Sequence, residues 1–295
     1  MQLYADAGRS GQVRSGQVRS GQVRMRSQLM QYHPINGLEG QMAALEQAIK
    51  ALSNAKKITC FSGAGISAES GIPTYRDGLT GLWARYSPQY LDTAKAFREN
   101  PSLVWGWYLW RRQQVRLAQP NMAHQSLCRI AATGRVVSII TQNVDDLHER
   151  AGSQDVLHLH GSLEAPKCFA CHRPAVLTQD QIAIPEEGVL TEPPRCRRCG
   201  GKLRPAVVWY GEDLSKNVWK TAMSLVIGCD VLISVGTSGI VTPAADIPRQ
   251  ALASGAVVIH VNTTDVSFGE QNEIMLTGSA TEVLTQLSRF LETEV

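Results

Sequence analysis

Four short apolar runs predict the strands of a parallel sheet. They cover residues 57–62, 136–141, 231–236 and 257–262, and each is rich in β-branched side chains. Short apolar runs with little alternation are typical of strands that helices cover on both faces of a sheet. We therefore expect an α/β fold with a Rossmann-like parallel sheet.

Small or polar residues follow every one of these runs. Ligands bind to an open α/β sheet at the carboxyl ends of its strands, so we expect these residues to line one crevice. They are Gly63, Ala64 and Gly65 after the first run, Gln142, Asn143 and Asp145 after the second, Gly236, Thr237 and Ser238 after the third, and Asn262 after the fourth. Each set alone is compatible with an ordinary turn, but the four together favour a cofactor crevice.

The first strand end has a glycine pattern that suits a phosphate. Gly63 and Gly65, with Ala68 as the third small residue, match the spacing of the dinucleotide fingerprint. We expect bare backbone N–H groups at the glycines and a helix that begins near Ser67 with its positive end toward the phosphate. The spacing alone is equally compatible with a simple glycine turn.

The continuation differs from an ordinary dinucleotide turn. Residues 70–73, Ser-Gly-Ile-Pro, end the helix at once, and Tyr75 and Arg76 follow in a predicted loop. An ordinary Rossmann unit continues its helix and reaches an acidic residue after the second strand. The irregular loop indicates that the dinucleotide is a substrate to be cleaved and not a hydride carrier.

Two insertions interrupt the sheet and predict a second, smaller domain. The first contains a clear helix at 103–117 that Pro120 closes, the second contains two pairs of cysteines, and a further helix is predicted at 38–52. The predicted units are a disordered leader, 1–36; a Rossmann-like domain, 37–79, 131–161 and 204–295; and a small helical and zinc-ribbon domain, 80–130 and 162–203.

The two cysteine pairs predict a zinc site. Cys168 with Cys171, and Cys196 with Cys199, each place two thiolates on one side of a tight turn, and two such turns complete a tetrahedron. The alternatives are disulfides, which an oxidising compartment favours, and a redox motif, which does not require two pairs. Four thiolates leave no open coordination position, so we expect one structural Zn²⁺ per chain.

Composition limits the classes of partner. The net charge of +3 arises in the first thirty residues, where five arginines and one aspartate give +4 and leave −1 for the rest. The same segment repeats Arg-Ser-Gly-Gln-Val and is too polar to bury a core, which predicts the disordered leader. We expect no nucleic-acid partner, no membrane association, a cytoplasmic location and a monomer.

A histidine just before the cysteine segment is the candidate base. His158 and His160 alternate with leucines up to Gly161, so in a strand both would point to one side. A histidine in a strand is usually structural, but the place of His160 between the two predicted domains favours a general base. Residues 203–212 are predicted to be extended and able to pair with a peptide, or else to be a linker.

These motifs together resemble the sirtuins, the NAD-dependent protein-lysine deacylases. The resemblance covers residues 40–290 and rests on residues 63–77, 142–145, 160–161, 208–212 and 236–238 and on the four cysteines. It implies that NAD is consumed, that the acyl group moves from lysine to ribose, and that nicotinamide and O-acyl-ADP-ribose are released. The implied partners are acylated-lysine proteins or peptides, bound between the two domains.

The resemblance also implies a role for each site residue. His160 deprotonates a ribose hydroxyl, while Asn143 and Asp145 hold the nicotinamide amide. The other implied NAD contacts are Gly63, Ala64, Gly65, Tyr75, Arg76, Gln142, Gly236, Thr237, Ser238, Asn262 and Ala280, and the implied peptide contacts are Val208, Trp209, Tyr210 and Gly211. The family usually has phenylalanine at the position of Tyr75, and we expect the tyrosine ring to keep the role of shielding the ribose from water.

The helix at 103–117 bears the residues that predict the acyl group. Tyr108 and Arg111 are three apart, and a phenol beside a guanidinium suits a carboxylate. This Tyr-x-x-Arg resembles the sirtuin branch that removes succinyl and malonyl groups, and Ala96 leaves space for a longer acyl chain. Because acetyl would leave Arg111 unpaired, we expect a preference for succinyl and malonyl, with acetyl also accepted. By spacing alone, a solvated arginine beside a packed tyrosine is the simpler interpretation.

Three other classes of function compete with deacylation. A protein mono-ADP-ribosyltransferase would use the same NAD chemistry but would not need the base His160. A non-enzymatic NAD and zinc binding module would not need Asn143, Asp145 and His160 together. A zinc-ribbon nucleic-acid binder is disfavoured by the charge of −1 outside the leader.

Overall fold

The computed structural model describes residues 34–74, 86–182 and 190–293, so residues 1–33 of the predicted leader lie outside the described residues. The strands are β1 (Lys57–Ser62), β2 (Val136–Thr141), β3 (Val156–His158), β4 (Gly161–Cys168), β5 (Leu203–Val207), β6 (Val231–Val235), β7 (Val257–Asn262) and β8 (Glu273–Thr277). The helices are α1 (Pro34–Asn54), α2 (Gly65–Ala68), α3 (Pro88–Leu91), α4 (Ala94–Glu99), α5 (Pro101–Leu117), α6 (Met122–Ala132), α7 (Leu147–Ala151), α8 (Gln179–Ile182), α9 (Lys216–Ile227), α10 (Ile247–Ala253) and α11 (Ala280–Thr293). Among these described helices, none has both the length and the apolarity needed to cross a bilayer.

Six strands form one sheet in the order β3-β2-β1-β6-β7-β8, and every neighbouring pair is parallel. The chain moves outward from β1 to β3 and later resumes at β6 on the other side of β1. The strand order therefore reverses between β1 and β6, which is where a crevice opens at the carboxyl ends of the strands. This topology confirms the predicted Rossmann-like fold.

The predicted strands match the central four strands of the sheet. For β1, β2 and β7 the predicted and observed bounds are the same. Strand β6 ends at Val235, one residue earlier than predicted, because Gly236 turns the chain with a φ of 61°. The short edge strands β3 and β8 are not among the four apolar runs. His158 ends β3 and His160 lies in the turn before β4, so the expectation that both point to one side of a strand is wrong.

Helices cover both faces of the sheet, as its apolar strands require. On one face, α1, α6 and α11 contribute Leu52, Leu127 and Leu284 to a core in which each is at most 1% exposed. On the other face, α9 and α10 contribute Val226 and Ile247, both fully buried. The sheet is therefore inaccessible on its faces and open only at the ends of its strands.

Helix α6 belongs to the sheet and not to the small domain. Leu127 and Ile130 are buried in the core beside β2, and Ser288 of α11 donates a hydrogen bond of 3.3 Å to Ser126. The helix starts anew after Pro120, with Asn121 as its N-cap, because the side chain of Asn121 accepts from the first-turn N–H groups. The predicted domain boundary at residue 130 is therefore too late.

The second core joins the antiparallel ribbon β4–β5 to α4 and α5. Trp105 and Trp209 are 0% and 1% exposed, and the ring of Phe97 lies 5.0 Å from that of Phe169 and 5.4 Å from that of Trp209. The Arg204 guanidinium lies 3.2 Å from the centroid of the Trp209 ring. Because β5 continues to Val207, the ribbon also extends beyond the predicted boundary at 203. The ribbon is tied to the segment after β2, because the Leu163 N–H of β4 donates to the Val144 carbonyl at 2.9 Å.

The turns after β1 and β6 cross in close backbone contact. Gly63 and Gly65 donate to the carbonyls of Val235 and Gly236 at 3.0 and 2.9 Å. A Cβ at Gly65 would lie 2.6 Å from the Cα of Gly236, and one at Gly236 would lie 2.5 Å from the amide nitrogen of Ile66. No side chain fits at this crossing, so the glycines are required by packing as well as by turn geometry.

We expect Gly236→Ala to destabilise the fold by about 3 kcal/mol, since it combines strain at positive φ with a backbone clash. Gly255→Ala is the matched control, because Gly255 has a φ of 87° but nothing within 4 Å of its added Cβ, and we expect it to cost only about 1 kcal/mol. Urea unfolding of the two variants measures the difference. Equal losses of stability would show that the crossing is not crowded.

Candidate active site

A cavity of about 1200 Å³ opens at the carboxyl ends of β1, β2, β6 and β7. The predicted NAD, peptide and acyl contacts that line it are Gly63, Ala64, Gly65, Arg111, Gln142, Asn143, Asp145, His160, Val208, Trp209, Tyr210, Gly211, Gly236, Thr237, Ser238, Asn262 and Ala280. Among the described residues of these predicted contacts, Tyr108 does not line the cavity. Tyr75 and Arg76 lie outside the described residues. The polar groups collected from separate strand ends thus surround one space.

The glycine turn gives close backbone approach and not free donors. The N–H groups of Gly63 and Gly65 already donate to carbonyls at the end of β6, so the expectation of bare N–H groups there is wrong. Helix α2 begins at Gly65 and not near Ser67, and it is only four residues long. A single turn contributes a small dipole, and the role left to the glycines is to let a ligand approach the backbone closely.

Ser67 joins the two side chains that were predicted to hold an amide. Asn143 Nδ2 donates to the Gly63 carbonyl and to Ser67 Oγ, both at 3.1 Å, and the Ser67 hydroxyl donates to Asp145 Oδ2 at 3.1 Å. The three side chains are between 1% and 8% exposed. Sequence reasoning missed Ser67, whose one signal was its position directly after the glycine turn.

The Asp145 carboxyl is poorly hydrated. Its burial raises its pKa, while hydrogen bonds from the Leu147 N–H and the Ser67 hydroxyl oppose that rise. A buried carboxyl of this kind gains from any N–H donor that a ligand presents to it. Asp145 is therefore suited to binding a carboxamide, which offers two N–H groups.

His160 is arranged as a proton acceptor. Its Nδ1 lies 3.1 Å from the Gln142 carbonyl oxygen, which can only accept, so Nδ1 carries the proton and Nε2 the lone pair. Burial lowers the pKa of His160, although the bond to Gln142 opposes this. The ring is therefore neutral at physiological pH, as a general base must be.

His158 stabilises the segment after β2 that contains Asn143. Its Nδ1 lies 3.0 Å from the Asn143 carbonyl and its Nε2 lies 2.7 Å from Glu149 Oε1. Burial disfavours the charged ring, but the Glu149 carboxylate and the Asn143 carbonyl prevail and raise the pKa of His158. The two neighbouring histidines thus differ in role, since His158 bonds to the backbone of Asn143 while His160 lines the cavity.

The backbone after β5 is less free than predicted. The N–H groups of Val208 and Tyr210 donate to the carbonyls of His160 and Asp92 at 2.8 and 2.9 Å, and that of Trp209 donates to Glu212 at 3.0 Å. A peptide that pairs with this segment must therefore donate its own N–H groups to the carbonyl oxygens of the segment.

Tyr108 and Arg111 do not face the same space. Arg111 lines the cavity beside Trp107 and Trp110, but the Tyr108 hydroxyl donates to the Leu163 carbonyl at 2.6 Å within the second core. Tyr108 is 1% exposed, and burial raises its pKa to about 12. Positions three apart differ by about 60° around a helix axis, which is enough to turn one of them into the core. The predicted phenol contact to an acyl carboxylate is therefore wrong.

The four cysteines of the predicted zinc site converge. Their sulfur atoms all lie within 4.8 Å of one another, with 3.5 Å between Cys168 and Cys199 and 3.9 Å between Cys171 and Cys196. Tetrahedral zinc with Zn–S bonds of about 2.3 Å needs sulfur atoms about 3.8 Å apart. The cluster could therefore hold a structural zinc ion. It lies at the far end of the ribbon and does not line the cavity.

We expect Cys171→Ser to reduce bound zinc from about one ion per chain to none and to lower the melting temperature by roughly 10 °C, because metal binding stabilises such ribbons. Cys128→Ser, outside the cluster and half-buried, is the control and should retain the metal. Elemental analysis and thermal melting provide the two readouts. A zinc content that Cys171→Ser leaves unchanged would exclude this residue as a ligand.

With this geometry established, comparison with known proteins identifies the family. The Sir2 family model matches residues 63–243. A curated relative from Pseudomonas syringae pv. tomato, named NAD-dependent protein deacylase 4, is 67% identical over 244 residues, which are 83% of this chain and 95% of the relative.

Solved structures agree with this result. The crystal structure of a Sir2 homologue in complex with NAD matches with a TM-score of 0.76 and 40% identity, over 84% of this chain and 94% of that one. A Sir2 protein bound to a myristoylated histone peptide matches with a TM-score of 0.66 and 28% identity, over 86% and 98% of the two chains. This chain belongs to the Sir2 family, the sirtuins, among whose members its 67%-identical relative is an NAD-dependent protein deacylase.

Proposed function

We propose that this protein is an NAD-dependent protein-lysine deacylase that removes succinyl and malonyl as well as acetyl groups. One observation supports it above the others: a neutral histidine, His160, lines the same cavity as the buried Asn143–Ser67–Asp145 group. The substrates are acylated-lysine proteins or peptides. A related Sir2 protein binds an acylated histone peptide, which agrees with a peptide site beside the segment after β5.

The buried amide and carboxyl groups bind the end of NAD that leaves. Asn143 donates its Nδ2 hydrogens to the Gly63 carbonyl and to Ser67 Oγ, which leaves the Asn143 side-chain oxygen as an acceptor for the ligand. The Asp145 carboxyl supplies a second acceptor. Together they orient the nicotinamide carboxamide, and their burial excludes water from the bond that breaks. NAD supplies an electrophilic ribose carbon, which the acyl oxygen of the lysine substrate attacks.

His160 then acts on the ribose. Its Nε2 accepts the proton of a ribose hydroxyl, and the oxygen of that hydroxyl then bonds to the acyl carbon. The bond between the acyl carbon and the lysine nitrogen breaks, and lysine leaves as a protonated amine. One water molecule is consumed as O-acyl-ADP-ribose is released. The peptide carbonyl of Gln142 holds Nδ1–H and fixes the tautomer during this transfer. The released products are nicotinamide, O-acyl-ADP-ribose and the unmodified lysine side chain.

An NAD-dependent mono-ADP-ribosyltransferase is the alternative, and two observations disfavour it. His160 has the tautomer and the neutral state of a base, which transfer to a strong protein nucleophile does not require. The curated relatives are named deacylases.

Arg111 is the residue that we assign to the carboxylate of an acidic acyl group. It lines the cavity on the side of α5, together with Trp107, Trp110 and Gln114, next to the predicted peptide segment. A guanidinium is the side chain best suited to a carboxylate. Because Tyr108 is directed into the core, Arg111 supplies this recognition without it.

The pH dependence of deacylation should report the His160 ring. Because burial lowers the pKa of this base below its ordinary value of 6.5, kcat/KM should be level at neutral pH and fall only as the pH drops below about 6.5 and the ring takes up a proton. His160→Ala should reduce kcat by about 10²-fold or more and abolish that acidic limb. An acidic limb centred above 6.5 in the unmodified enzyme would contradict the assignment.

Arg111→Met should lower the ratio of kcat/KM for a succinyl peptide to that for the matched acetyl peptide by about tenfold. Methionine has a side chain of similar length to arginine but lacks its charged guanidinium donor. Arg116→Met is the control, since Arg116 lies on the same helix with its side chain 48% exposed and paired with Glu164. An unchanged ratio in Arg111→Met would reject the carboxylate contact.

A further inference from the structure

Arg111 has a carboxylate partner within the protein. Its Nη1 donates to Oδ2 of Asp92 at 3.0 Å, and both residues line the cavity. Only 18% of the Arg111 side chain and 9% of the Asp92 side chain are exposed, so the pair lies largely out of water. The part of the pocket that sequence reasoning predicted to be cationic therefore contains a carboxylate paired with the arginine.

Backbone bonds hold Asp92 in place. It follows α3, its N–H donates to the Pro88 carbonyl at 3.0 Å, and its own carbonyl accepts from the Tyr210 N–H at 2.9 Å. The next residue, Thr93, also pairs with Tyr210. Asp92 is thus tied to the segment beside which we place the peptide, while Arg111 reaches it from α5. The carboxylate has little freedom to move away when an acyl group enters.

An acidic acyl group meets two opposing effects at this position. The Arg111 guanidinium attracts its carboxylate, but the same carboxylate must approach the negative charge of Asp92 in a site with little water to screen them. A neutral acyl group leaves the Arg111–Asp92 pair intact. An acetyl group therefore does not leave Arg111 unpaired in this chain, because Asp92 remains its partner.

We propose that Asp92 is a specificity-determining residue, which limits the activity on acidic acyl groups by neutralising Arg111. This inference rests on the proposed function, in which Arg111 binds the acyl carboxylate. Arg111 favours succinyl and malonyl groups, Asp92 opposes them, and the balance of the two sets the acyl preference. Sequence reasoning had no signal for this pair, because its members lie 19 residues apart, Asp92 directly after α3 and Arg111 on α5.

Removal of the Asp92 charge tests the proposal. Asp92→Asn keeps the size of the side chain, and it should raise the succinyl-to-acetyl ratio of kcat/KM by about tenfold while the acetyl value changes little. Asp92→Ala, which removes the carboxylate altogether, should change the ratio in the same direction. Glu99→Gln makes the same change in net charge on the exposed surface of α4 and should leave the ratio unaltered.

The outcomes separate this proposal from the one on which it rests. A purely structural role for Asp92 would lower both kcat/KM values together, so an unchanged or reduced ratio in the Asp92 variants overturns the inference. Loss of folding in both variants, seen by thermal melting, would also reject it in favour of a structural role. If Arg111→Met alters the ratio and the Asp92 variants do not, only this inference fails. If Arg111→Met leaves the ratio unchanged, the carboxylate contact itself fails.

Discussion

The site depends on two backbone turns that cross with no space between them. Gly63 and Gly65 after β1 donate hydrogen bonds to carbonyls at the end of β6, where Gly236 has a positive φ. The two turns lie so close together that neither has room for a side chain at these glycines. This contact closes the bottom of the crevice at the point where the strand order reverses. Because the N–H groups of both glycines are used in the crossing, the turn offers a ligand close approach to a backbone without side chains and not free N–H donors.

Asn143 and His160, near this crossing, are each oriented by hydrogen bonds that leave one acceptor atom free to contact a ligand. Asn143 gives its Nδ2 to Gly63 and Ser67 and keeps its oxygen for a ligand. His160 gives Nδ1–H to Gln142 and keeps the lone pair on Nε2. Asp92 and Arg111 follow a different pattern, since they form an ion pair with each other. The part of the pocket around Asn143 and His160 is thus preorganised for polar contacts, while the proposed acyl part contains charges of both signs.

The central strands and most of the site could be predicted because they rest on local patterns. Buried parallel strands are apolar along their length, and the residues that follow them must meet at one edge of the sheet. The edge strand β3, with three residues, has too short a pattern to detect. The burial of Tyr108, the bridge made by Ser67 and the pairing of Asp92 with Arg111 depend on contacts between distant segments, which helix spacing does not report.

In the proposed reaction, this cavity transfers an acyl group from lysine to the ribose of NAD. The most direct test is mass spectrometry of the products formed from NAD and an acetylated or succinylated lysine peptide. We expect nicotinamide, O-acyl-ADP-ribose and deacylated peptide in equal amounts. ADP-ribose attached to the protein or peptide, with the acyl-lysine unchanged, would contradict it.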